Sequence, residues 1–73
     1  MSKLPAVKPS DIIRVLEGIG FYKIRQKGSH LQMKRGNLLV TIPVHTKDLN
    51  TGTLRSILRQ ARLSIEEFLR QLS

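Results

Sequence analysis

Two glycine-led dipeptides, Gly28-Ser29 and Gly36-Asn37, constrain this chain more than any other feature. Each is a two-residue turn signal of the kind that wants glycine first. They bound three short segments free of internal breakers: 21–27, 30–35 and 38–43. Segments so short, closed by such tight turns, fit strands, and consecutive strands joined this way form an antiparallel meander.

The turns also set a register. A loop at Gly28-Ser29 places Lys27 opposite His30, Arg25 opposite Gln32 and Lys23 opposite Lys34. A loop at Gly36-Asn37 places Met33 opposite Val40, Leu31 opposite Ile42 and Pro43 opposite His30. Because side chains alternate between faces, one face collects Ile24, Leu31, Met33, Val40 and Ile42, with Tyr22 at its end. The other collects Lys23, Arg25, Lys27, His30, Gln32, Lys34 and Thr41. The expectation is a greasy face and a cationic face.

The greasy face needs a cover, and the flanking segments offer one. Ile12, Ile13, Leu16 and Ile19 recur at helical spacing behind a capping Ser10, and Gly18 and Gly20 end the run. Leu54, Ile57, Leu58 and Ala61 form a second apolar stripe after Thr51-Gly52-Thr53. Ser64 and Glu67 have capping-box spacing ahead of Ile65, Phe68, Leu69 and Leu72, which predicts a third helix. Residues 1–9, with Pro5 and Pro9 and no periodicity, read as a flexible arm. The fold expected is one α+β domain over residues 1–73, a two-layer α-β-β-β-α(-α) sandwich with its cationic sheet face open.

Charge narrows the function. Thirteen Lys and Arg against five acids give a formal charge of +8 and a sequence pI near 11.0, a balance that points to a polyanionic partner, with nucleic acid first. No cysteine is present, so disulfides and thiolate metal sites are excluded. No apolar run approaches membrane-spanning length and no signal-like segment opens the chain, so a cytoplasmic protein is expected.

His30 is the candidate for chemistry. It follows a glycine turn, where backbone can approach a ligand, and its face is lined with phosphate-binding side chains. Lys27 and Lys34 disfavour a second positive charge nearby, which favours a neutral imidazole able to accept a proton. Such a base suits RNA cleavage without a metal or cofactor. It removes the proton of a ribose 2′-OH while lysines and turn amides from Gly28 and Ser29 stabilise charge on the phosphate. Lys23, Arg25, Lys27 and Lys34 are the candidate RNA-binding cations. His45, in the loop after the third strand, is a possible accessory. Its two histidines have no carboxylates at ligand spacing, so no metal site is expected. A non-catalytic RNA-binding module fits the same face. Residues 54–72 also fit a DNA-binding helix-turn-helix, although both apolar stripes there are needed for the core. A surface that only docks an acidic protein is a third possibility, and Arg55, Arg59 and Arg62 suit either phosphate or such a partner.

A family resemblance bears on the choice. Gly20-Phe21, Lys27-Gly28-Ser29-His30, Thr41-Ile42-Pro43-Val44-His45, Leu49 with Gly52-Thr53-Leu54-Arg55-Ser56-Ile57-Leu58, and Glu66-Glu67-Phe68-Leu69 resemble, in order, the HicA (YcfA-like) toxins. The resemblance runs from about Ser10 to Leu69. It implies a fold like that of double-stranded-RNA-binding domains, an mRNA interferase activity within a type II toxin–antitoxin system, and a HicB antitoxin that blocks the active site. It also implies that the histidine of the Gly-Ser-His motif, His30 here, is catalytic. The chain departs from the family in two places. Arg62 stands where glycine often follows the second helix's last alanine, and the turn before the third strand is only Gly36-Asn37.

Overall fold

The computed structural model describes residues 4–44 and 47–73. The element order is α1 (Pro9–Gly18), β1 (Tyr22–Lys27), β2 (His30–Arg35), β3 (Leu38–Pro43), α2 (Thr51–Ala61) and α3 (Ile65–Leu72). The strands form one antiparallel sheet in the order β1-β2-β3, so the α+β architecture is the expected one. Gly28 and Gly36 open the two turns at φ 58° and 57°, a left-handed backbone that a side chain resists.

Leu31, Met33, Val40 and Ile42 from the sheet share one buried cluster with Ile12, Val15 and Leu16 of α1, Leu54, Ile57, Leu58 and Ala61 of α2, and Phe68 of α3. The register of β2 with β3 follows the turns: Met33 pairs with Val40, Leu31 with Ile42 and His30 with Pro43. Thr41 shows how the far edge of β3 is closed. Its backbone N–H donates to Oε1 of Gln60 on α2 at 3.1 Å, giving an edge amide a partner.

The register of β1 with β2 departs from expectation. Lys27 pairs with His30 and Arg25 with Gln32, but the ladder then slips: Lys23 pairs with Met33 and Tyr22 with Lys34. Ile24 is the extra residue of a bulge. Core packing supplies the reason. Phe21 is buried, and its N–H donates to the Leu16 carbonyl at 2.9 Å, closing the end of α1. The turn fixes Lys27 on the open face, so strict alternation would send Phe21 to that face too. One inserted residue reverses the parity and lets Phe21 reach the core. In consequence Ile24 and Tyr22 do not complete the greasy face; they are 43% and 55% exposed. Lys23 leaves the cationic row and stands in the row of Met33.

One helix start also differs from expectation. α1 is capped by Lys8, whose N–H donates to Oδ2 of Asp11 at 3.1 Å, with Pro9 as the first helical residue and Ser10 inside. Val7, within the expected arm, is fully buried and bridges to Leu49. At α2 the cap is Asn50, whose Oδ1 accepts from the Thr53 N–H at 2.7 Å. Ser64 caps α3 as its spacing indicates, accepting from the Glu67 N–H at 3.1 Å. The Glu67 carboxylate turns instead to Arg70 and Gln71.

Candidate active site

The Gly28-Ser29 turn joins β1 to β2 and sets Lys27 directly across from His30. Neighbouring contacts hold the turn in shape. Gln26 Nε2 donates to the Gly28 carbonyl at 3.0 Å, and the Val44 N–H donates to the Ser29 carbonyl at 2.8 Å. The second bond ties the turn to the end of β3, so His30 begins its strand with backbone fixed on both sides.

Arg25, Lys27, His30 and Gln32 line one open cleft of about 440 Å³. All four lie on the solvent side of the first hairpin, and His30 is exposed. Gln32 is the member that composition alone does not single out. Its Oε1 accepts from Arg25 Nε at 3.1 Å, which aims the guanidinium across the strand pair and leaves its remaining donors for an anion. Strand parity placed Gln32 on this face, but its role as a positioner of Arg25 needed the coordinates.

No carboxylate opposes these cations. The intrahelical ion pairs are Arg14 with Asp11 on α1 and Arg70 with Glu67 on α3, and among the described residues no acid pairs with Arg25, Lys27 or Lys34. Lys34 lies on the same face, two residues beyond Gln32 along β2, and does not line the cleft. Lys23 is exposed but belongs to the opposite row. His45 lies outside the described residues. Among the described residues no group of three or more His, Cys, Asp or Glu could hold a metal ion, and no helix is long and apolar enough to cross a membrane.

The arrangement combines a histidine, two cations and an amide side chain around one open cleft. Comparison with known families gives it a context. The family model described as the HicA toxin of bacterial toxin–antitoxin systems matches residues 9–63. This chain belongs to the HicA toxin family. The match takes in α1, the whole sheet with the His30 cleft, and α2, and it stops before α3. No curated protein sequence matches the chain significantly. As a HicA-family toxin the chain is one half of a toxin–antitoxin pair.

Proposed function

We propose that this toxin is a metal-independent endoribonuclease acting on mRNA, with His30 as the general base. The observation that carries this is the cleft: an exposed histidine directly opposite Lys27, beside Arg25, with no acid paired to these cations among the described residues. Neutral His30 takes the proton of a ribose 2′-OH. The 2′-oxygen then attacks the adjacent phosphorus, and the 5′-oxygen leaves with a proton from the solvent that fills the open cleft. Lys27 and the Arg25 guanidinium stabilise the extra negative charge that builds on the phosphoryl oxygens. Lys34 extends the electrostatic track along β2, and the Gly28 and Ser29 backbone lets the phosphate approach closely. A HicB-like antitoxin covering the His30 face would silence the enzyme by filling the same cleft.

Purified protein incubated with end-labelled single-stranded RNA tests this. The wild type is expected to leave 2′,3′-cyclic or 3′-phosphate ends. His30→Ala is expected to lose cleavage by about 10²- to 10⁴-fold, the usual worth of a positioned base, while melting at the wild-type temperature. Undiminished cleavage by that variant would remove His30 from the chemistry. Binding of RNA with no cleavage by the wild type would instead favour a binding module on the same fold.

A further inference from the structure

The bulge in β1 does more than bury Phe21. It turns Tyr22 onto the open cationic face, in one cross-strand row with Lys34 and Leu39. Tyr22 is 55% exposed there, and its hydroxyl has no hydrogen-bond partner among the described residues. His30, Gln32 and Lys34 stand on this face at every second residue. With a rise of about 3.4 Å per residue, the Tyr22–Lys34 row lies roughly 13 Å from the His30 row. A single strand of RNA laid along the face therefore reaches Tyr22 a small number of nucleotides away from the phosphate at His30.

We infer that Tyr22 is a base-stacking platform that holds a nucleotide flanking the cleavage position and sets its distance from His30. The inference rests on the ribonuclease reading above. Three features support it. An exposed aromatic ring amid cations matches how single-stranded RNA is held, with bases on π-faces and the backbone on positive charge. Lys34 stands directly across from Tyr22 to meet the backbone of the stacked nucleotide. Bulges commonly re-aim one side chain beside a functional site, and here the re-aimed side chain is the aromatic one. Lys34 directly across, Arg25 on the next same-face row and Lys27 beyond it favour a polyanion over an apolar protein surface as the occupant, with exposed Leu39 on the far side of Lys34 adding apolar area beside the ring.

The chain contains one tyrosine and no tryptophan, so its tyrosine emission reports on Tyr22 alone. In the His30→Ala background, which keeps RNA intact, titration with a single-stranded oligoribonucleotide should quench that emission. Inorganic polyphosphate, which offers charge without bases, should bind without quenching. Tyr22→Ala and Tyr22→Leu should each weaken RNA binding by about 5- to 100-fold and leave the salt dependence unchanged, whereas Tyr22→Phe should bind like the parent. RNA binding with unchanged emission and equal affinity in Tyr22→Leu would overturn the stacking role and leave the ribonuclease reading standing. Failure of the tyrosine-containing protein to bind RNA at all would overturn both. Quenching that follows protein concentration without RNA would mark Tyr22 as a self-association contact and overturn the inference.

Discussion

β1 and β3 flank the same central strand with ladders of similar length, yet they carry different loads. Val40 and Ile42 of β3 are fully buried, and α2 lies against that strand with Gln60 closing its edge at Thr41. All six residues of β1 are exposed. Even Gln26, which pairs with buried Leu31, stays in solvent and spends its amide on the Gly28 turn. β3 anchors the fold. β1 is held by its ladder, by the turn and by the Arg25–Gln32 bond, so its side chains remain available to a ligand. Helical cover, rather than pairing, decides which edge of this small sheet stays exposed.

That division can be broken by mutation on either side. Ile42→Ala removes a fully buried side chain and is expected to cost about 2–5 kcal/mol. In a domain this small such a loss consumes most of the stability, so chemical denaturation should show a protein largely unfolded at ambient temperature. A cost below about 1 kcal/mol would mean that β3 is not the anchor. On the other side, Arg25→Ala combined with Lys27→Ala should leave the denaturation midpoint within about 0.5 kcal/mol of wild type. The same double variant should flatten the dependence of log affinity for single-stranded RNA on log salt by about 1.4, two cations at roughly 0.7 each. An unchanged slope would place the RNA elsewhere.

A smaller effect sharpens the β3 side. α1 and α2 end in the same way: the sixth residue's N–H reaches back to Leu16 from Phe21 and to Leu58 from Leu63, and three-residue spans are closed by the N–H groups of Gly20 to Glu17 and of Arg62 to Arg59. This Schellman arrangement needs a left-handed residue. Gly20 supplies it at φ 107°, but on α2 Arg62 is forced to φ 56°. Arg62→Gly should therefore raise stability by about 0.5–1 kcal/mol, read as a higher melting temperature. RNA cleavage should not change, because Arg62 does not line the first hairpin's cleft.

Much of this was legible in the chain. The turns dictated the β2–β3 register and the Lys27–His30 and Arg25–Gln32 pairs, because a glycine turn of fixed length leaves no freedom over the next few residues. The stripes of the three helices were legible for a similar reason, as periodicity marks a buried face. The rest depended on competition between distant demands. Phe21 and the Gly28 turn ask for opposite parities along one strand, and nothing local says that an inserted Ile24 resolves it. Tyr22, Ile24 and Lys23 were misplaced for that single cause. Ser10 looked like the cap of α1 because its side chain suits the task, but Pro9 fits the first helical position and pulled the cap back to Lys8. Gln32 was visible on the right face, while its grip on Arg25 depends on the two side chains meeting across strands.

The central claim is that His30, held opposite Lys27, draws a proton from the ribose 2′-OH of bound RNA. The most direct measurement compares two oligoribonucleotides that differ by one atom, a 2′-oxygen at the cleaved position. The account predicts that the single 2′-deoxy substrate binds with undiminished affinity and is not cut there. Cleavage of that substrate at the same position and rate would contradict it.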